Sequence, residues 1–350
     1  MKSTRFRKMA VALSLLLILS SCSRQSGETS GREDRAEGSR SLTIYAYDSF
    51  VSEWGPGPQV VPLFEAATGI KVNLISAGDS GQMVSRIIME KDNPQADLAI
   101  GIDNNQLYHV KASGALESYR SPGASSIPPE LIFDDDFMVT PYDYGYFAVN
   151  VDTEALEAPP RSLEELTRPE LRKSLILMDP RTSGPGLGFL FWTVAVYGTE
   201  YQEYWKRLKP SVLTVTDGWD SAYALYTSGE APLVLSYTTS PPYHVEYEET
   251  TRYQALIFEK GNYRHIEGMG LLKGAKNLDE AKEFIDFMLT TPSQEVLPLT
   301  NFMYPVNPEA VRPASFEYAP EPARALDLAP DFIQANRETL IQGWLEVMGS

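Results

Sequence analysis

The residues of this chain that can do chemistry gather where apolar runs end. Ala231-Pro232-Leu233-Val234-Leu235 leads into Ser236-Tyr237-Thr238-Thr239-Ser240, followed by Pro241, Pro242, Tyr243 and His244. Phenols and small hydroxyls around a proline pair offer ring faces and hydrogen bonds to a ligand. After the run SLTIYAY come Tyr47-Asp48-Ser49-Phe50 and then Trp54. An aspartate beside large aromatics can receive a cation or a flat heterocycle, and equally can make a turn with core aromatics. Asp79-Ser80 opens a helical pattern, where Asp79 is most simply an N-cap. Asp179-Pro180-Arg181-Thr182-Ser183-Gly184-Pro185-Gly186 also precedes a helix. Its free N–H groups favour a phosphate or similar anion. Trp219, reached from VLTVT through Asp217-Gly218, is either a cleft residue or a core tryptophan. Phe302 and Tyr304 sit in the Pro-limited loop TNFMYPVNP.

Several chemistries have no residues to carry them. The anion loop lacks the GxxxxGK[ST] pattern of nucleotide hydrolysis, and GxSxG and HExxH motifs are absent. His109, His244 and His265 show no metal-ligand spacing. His109 reads as a helix-surface residue and His244 as a helix-start residue incidental to function. The only cysteine is Cys22, so the folded body has no thiol nucleophile. Binding is favoured over catalysis, with no metal and no cofactor expected.

The first 21 residues have a different character. Lys2, Arg5, Arg7 and Lys8 precede the apolar stretch Met9 to Leu19, which is too short to span a bilayer as a settled helix and reads as an export signal. It ends in Leu19-Ser20-Ser21-Cys22, which resembles the lipobox of bacterial lipoproteins, where the cysteine is acylated after cleavage. Residues 23–40 contain no large apolar side chain and form a flexible tether. Removing the four basic residues of the signal from a formal charge of −17 leaves −21. So acidic a body is a poor partner for nucleic acid and a good one for a cation.

Apolar periodicity gives the elements that must hold the candidate residues. SLTIYAY (41–47), IKVNLISA (70–77) and ADLAIGI (96–102) predict strands, separated by helices over 60–68 and 80–92. Strand, crossover helix and strand in repetition predict a largely parallel sheet with helices on both faces. MVTPYDYGYFAVNV (138–151) is an extended aromatic segment suited to cross between two lobes. Beyond it, a helix is expected over 162–172 and strands at SLILMD, VLTVT, APLVLSY and YQALIFEK. Further helices follow, including an amphipathic one from about Asp331. In open α/β sheets ligands bind beyond the carboxyl ends of the strands, which is where the candidate residues fall.

These segments resemble one known family, the thiamine-binding substrate-binding proteins of bacterial ABC importers. The matching stretches are YAYDSFVSEWGPGP, ADLAIGIDNN, PYDYGYFAVN, DPRTSGPGLGFLFW, VTDGWDSAYALY, LVLSYTTSPPYH and MYPV, in family order from about residue 42 onward. The resemblance implies a two-lobe periplasmic-binding-protein type II fold, each lobe a mostly parallel sheet flanked by helices, with the ligand cleft between them. Residues 42–141 with about 265–350 would form lobe 1, and about 142–264 lobe 2, after a signal at 1–21 and a tether at 22–40. Carried over by position, Asp79, Ser80, Ser183, Gly184, Trp219 and the run Tyr237, Thr238, Thr239, Ser240 and Pro241 would contact the ligand. Tyr47, Tyr243 and Phe302 would flank its rings. Ser80 stands where the family can have glycine, and Phe302 where it can have tryptophan.

The implied function is capture of thiamine, thiamine monophosphate or thiamine pyrophosphate and delivery to an ABC importer permease. The protein would be a monomer in the periplasm or at the cell surface, lipid-anchored through Cys22. A ferric-ion or other small-solute carrier of the same superfamily is the alternative reading. Iron carriers offer neighbouring tyrosines, whereas Tyr142, Tyr144 and Tyr146 alternate as on a strand. A thiamine-degrading transferase on a related fold would need the missing cysteine nucleophile.

Overall fold

Two-residue alternation on a strand buries both faces only if helices cover both, and the first strands meet that condition. Strand β1 (Ser41–Ala46) pairs in parallel with β2 (Lys71–Ser76) and with β3 (Leu98–Asp103). Helices α1 (Gly57–Thr68) and α2 (Ser80–Glu90) are the crossovers. Leu42 and Ile44 pack with Phe64 of α1, while Tyr45, the next residue along, packs with Met83 and Ile87 of α2 on the opposite face. The computed structural model describes residues 40–349. The expected signal, Cys22 and the tether as far as residue 39 lie outside them. Among the described residues no helix is long and apolar enough to cross a membrane.

After the short helix α3 (Leu107–Ser113) comes the long strand β4 (Thr140–Asp152). The second half of the fold holds β5 (Leu175–Met178), α4 (Gly184–Tyr197), α5 (Tyr201–Leu208), β6 (Val212–Thr216), α6 (Trp219–Thr227), β7 (Leu233–Tyr237) and α7 (Pro241–Glu248). The long strand β8 (Asn262–Leu272), α8 (Leu278–Met288) and α9 (Pro330–Met348) complete it. The sheet runs β2-β1-β3-β8-β4-β7-β5-β6. Its two ends are parallel triplets, and the centre is the antiparallel pair β4 and β8. Residues 140–146 of β4 pair with β8, and Phe147 to Val151 pair with β7. One strand thus belongs to both ends. The architecture is the α/β fold anticipated from the alternation.

Two segments differ from the sequence reading. The helix expected over 162–172 is a pair of short 3₁₀ turns, Glu164–Thr167 and Pro169–Leu171. Arg168, which precedes Pro169, is extended at φ −58°, ψ 139°, the conformation a following proline enforces. The strand expected over 253–260 is reduced to Tyr253–Ala255, which pairs with Asn150 to Asp152 of β4, and the longer partner of β4 is β8. Residues Asn262, His265 and Glu267 of β8 are buried polar groups that break the apolar alternation by which strands are read.

Helix α4 is apolar all round and buried from Gly184 to Val194, as a helix inside a core must be. Gly188 lies against the buried ring of Phe147 so closely that a Cβ would stand 2.0 Å from Cε2. Helix α9 closes the core, with Trp344 edge-on to Trp205 at 6.0 Å between ring centres. Alanine for glycine in a helix normally stabilises. Here Gly188→Ala is expected to cost about 1–3 kcal/mol through overpacking, read as a lower denaturant midpoint, and an unchanged or raised midpoint would contradict the packing argument.

Candidate functional site

The ends of β1, β2, β5, β6 and β7 converge on a cavity of about 550 Å³. Of the residues selected from sequence, Tyr47, Asp79, Ser80, Trp219, Tyr237, Ser240, Tyr243 and Phe302 line it. Ser183, Gly184, Thr238, Thr239 and Pro241 are buried behind that lining. The Ser183 hydroxyl caps α4 by accepting from the Gly186 amide at 3.3 Å. Thr239 donates to the Met303 sulfur at 3.7 Å, while the Thr238 hydroxyl has no hydrogen-bond partner among the described residues.

Asp79 ties the two halves of the fold together. Its backbone is extended at φ −66°, ψ 162°, the N-cap conformation for α2, and its amide donates to Gln82 Oε1 at 3.0 Å, in the manner of a capping box. One carboxylate oxygen accepts the Gly184 amide at 3.0 Å and the other the Trp219 amide at 3.0 Å. These are the first residues of α4 and α6, so three helix N-termini meet at one side chain. Desolvation pushes the Asp79 carboxyl above its usual range, and the Trp219 and Gly184 amides pull against that shift. Beside it, the Gln82 amide donates to the Thr182 carbonyl at 3.1 Å. Gly81 permits this approach, since a Cβ there would lie 2.5 Å from the Thr182 oxygen.

Rings form one wall. Trp219 stacks on Tyr223 with centroids 4.6 Å apart and 19° between planes, and half-exposed Trp54 tilts against Trp219 at 6.3 Å. The Trp219 indole donates to Ser236 Oγ at 2.9 Å, which shares a hydrogen bond with Ser240 Oγ at 2.8 Å. Behind them His244 is fully buried. It lies 2.8 Å from the Tyr223 hydroxyl and 2.7 Å from Glu248 Oε2, and stacks on Tyr253 at 4.0 Å. It is therefore a structural support of the wall, and it does not line the cavity. Tyr243 stands edge-on to Phe302 at 5.5 Å.

The floor was not legible in the sequence. The Tyr47 hydroxyl lies 3.0 Å from that of Tyr142, and these two donate to Glu267 Oε2 at 3.2 and 3.3 Å. Asn301 Nδ2 donates to Asp143 Oδ2 at 2.5 Å and reaches Glu267 Oε2 at 3.4 Å. His265 Nε2 lies 3.5 Å from Glu267 Oε1, and His265 Nδ1 lies 3.9 Å from Asp103 Oδ2. Burial and the Glu267 charge hold Asp143 well above the usual carboxyl range. Burial works in the same direction on Glu267, yet His265 keeps it below its usual value. Burial drives Asp103 up to about 6. Glu267 and Asn301 line the cavity; a register shift between Glu267 and Gly268 in the pairing of β8 with β4 is the kind of bulge that re-aims a side chain.

The acids that line the cavity are Asp48, Asp79, Asp217, Asp220, Glu248 and Glu267, and among the described residues no lysine, arginine or histidine joins them. Aromatic walls and carboxylates without a cation suit a flat, positively charged solute.

Comparison with known proteins points the same way. Residues 93–336 match the family of bacterial extracellular solute-binding proteins. A thiamine-binding periplasmic protein of Brucella melitensis is 43% identical over 317 residues, covering 90% of this chain and 94% of the relative. That of Escherichia coli is 39% identical over 304 residues, covering 87% and 92%. A solved periplasmic thiamin binding protein superposes with a TM-score of 0.84 at 37% identity, over 88% of this chain and 96% of the other. These relatives bind solutes and are not enzymes. The chain belongs to the thiamine-binding periplasmic proteins, within the bacterial extracellular solute-binding family.

Proposed function

We propose that the protein captures thiamine in the cavity between the two parallel triplets and delivers it to an ABC importer. The observation that carries this reading is the lining of aromatic rings and acids with no basic side chain. Thiamine presents a flat aminopyrimidine, a permanently cationic thiazolium and a hydroxyethyl tail. Each cation–π contact with such rings is worth about 0.5–2 kcal/mol, more when water is excluded. Tyr243 and Phe302 would hold one ring edgewise, with Trp219 and Tyr47 offering further faces. Phe302 presents a smaller face than the tryptophan the family can place there.

Thiamine monophosphate and pyrophosphate are also proposed solutes. Their phosphate would sit toward Ser80, Ser240 and the turn at Ser183 and Gly184, and would share the amides of Gly184 and Trp219 with Asp79. We further propose residues 42–141 with about 265–350 as one lobe and 142–264 as the other. The triplets at the two ends of the sheet support that division, except that α9 packs Ile333, Leu340 and Trp344 into the second lobe's core and so belongs with that lobe. The protein would act as a monomer in the periplasm or at the cell surface, with acylated Cys22 holding it to a membrane and a permease receiving the solute.

Titration calorimetry tests the site. Thiamine is expected to bind one to one and to raise the melting temperature by several degrees, as any ligand of the native state alone must. Asp79→Ala and Tyr243→Ala should each weaken binding at least about tenfold, or roughly 1.4 kcal/mol. Unchanged affinity in both would remove these residues from the site. Gly81→Ala is expected to lower the melting temperature of the empty protein and to weaken thiamine binding, because its added methyl forces the 79–82 and 182–184 turns apart. A variant that melts and binds like the parent would show that the contact between these turns supports neither.

A further inference from the structure

Behind the cavity floor lies an arrangement of charges that the binding reading does not use. Asp143 of β4 and Glu267 of β8 are cross-strand partners in register, and both are buried. The Asn301 amide joins their carboxyl groups, with Nδ2 2.5 Å from Asp143 Oδ2 and 3.4 Å from Glu267 Oε2. Asp143 Oδ2 accepts from Asn301, but Asp143 Oδ1 is buried with no partner among the described residues. A buried carboxylate oxygen without a donor is costly, and two ionised carboxylates side by side are costlier. One proton on Asp143 removes both penalties, because its O–H can then donate to Glu267.

The surroundings favour that proton when the cavity is empty. From β8, His265 faces Glu267; from the end of β3, Asp103 faces His265. Tyr47 after β1 and Tyr142 of β4 give Glu267 their hydroxyl protons. Tyr237 at the end of β7 lies tilted against His265 at 5.5 Å between ring centres, and Asp79 adds its negative charge to the same region. Two acids from separate strands, Asp103 and Glu267, thus flank one imidazole. No lysine or arginine among the described residues lines the cavity above them.

We propose that the Asp143–Glu267 pair is the charge-selecting element of the cavity, holding one shared proton in the empty protein and releasing it when a cationic solute binds. The inference rests on the reading of the cavity as a thiamine site. Glu267 faces both the cavity and Asp143, so a cation over the floor takes the place of the proton as the pair's compensating positive charge. A unit positive charge nearby makes ionisation of an acid roughly ten- to a thousandfold easier. His265 responds in the same sense, since a second cation nearby disfavours its protonated form. Both responses are proton losses, so affinity for a cation rises with pH. A neutral solute of the same shape gains nothing from them, and the floor discriminates by charge.

Two measurements test the proposal. Infrared spectra of the empty protein near neutral pH are expected to contain the carbonyl band of a protonated buried carboxyl. Asp143→Asn should remove that band, and thiamine should diminish it. Its absence from the empty parent protein, or its persistence in Asp143→Asn, overturns the proposal whether or not thiamine binds. Calorimetry in buffers of different ionisation enthalpy should show proton release on thiamine binding. The dissociation constant should fall as pH rises, by up to about tenfold per pH unit for one proton released. Asp143→Asn should flatten that dependence, whereas His265→Gln should leave the larger part of it. Buffer-independent heats in the parent, or undiminished release in Asp143→Asn, count against the pair. Absence of any thiamine heat or thermal shift in the parent, beside a carboxyl band lost in Asp143→Asn, rejects the solute but not the shared proton.

Discussion

The contact on which the rest of the structure depends is the Asp79 carboxylate between the amides of Gly184 and Trp219. Helices α4 and α6 point their N-termini at the same point, and each concentrates partial positive charge there. Without an anion between them the two ends would repel and leave donors unsatisfied. The anion comes from the other half of the fold, on a residue already fixed as the cap of α2. One side chain therefore joins three helices that three separate strands deliver. Charge-assisted hydrogen bonds of this kind are among the stronger ones, which offsets the desolvation Asp79 suffers inside the cleft.

That junction fixes one side of the cavity, and the crossing strands fix the floor. Strand β4 pairs with β8 along its first part and with β7 along its second, so the floor is shared by both ends of the sheet. Carbon side chains at these positions would make a firmer core. The chain instead buries Asp103, Asp143, His265 and Glu267 here. Buried ionisable groups of this density are expensive unless mutually compensated. Their compensation through hydroxyls, Asn301 and His265 makes the floor responsive to any further charge placed above it.

Much of the fold follows from patterns within a few residues. The alternation over 41–103 marks β1, β2 and β3 and their helices because β3 is buried on both faces, while β1 and β2 carry apolar faces at Leu42 and Ile44 and at Val72 and Leu74. The strand-end rule then directs attention to Tyr47, Asp79, Trp219 and Tyr237, all of which line one cavity. What escaped depends on contacts between distant residues. Glu267 and Asn301 sit in segments with no local signature, and the first meets Tyr47 across 220 positions of sequence. His244 shows its partner Glu248 four residues on, but its second partner Tyr223 comes from another helix. Among the hydroxyls after β7, the side chains of Thr238 and Thr239 are fully buried and only Ser240 reaches the lining. Local patterning identifies such a run without saying which of its members turns inward.

Phe302 joins the local and distant constraints. Its backbone lies in the left-handed region at φ 50°, where a non-glycine residue of this bulk costs of order 1–3 kcal/mol. The amides of Asn301 and Phe302 both donate to the Leu297 carbonyl, at 2.8 and 3.0 Å, which ends the preceding helical turn and holds that conformation. The turn sends the Asn301 side chain down to Asp143 and Glu267 while the Phe302 ring faces Tyr243. Adjacent residues thereby serve opposite parts of the site, one the charged floor and the other the aromatic wall. An extended backbone at 302 would separate these roles. The strain is therefore the consequence of making one tight turn supply both, and a larger ring at the same position would change the stacking face without relieving it.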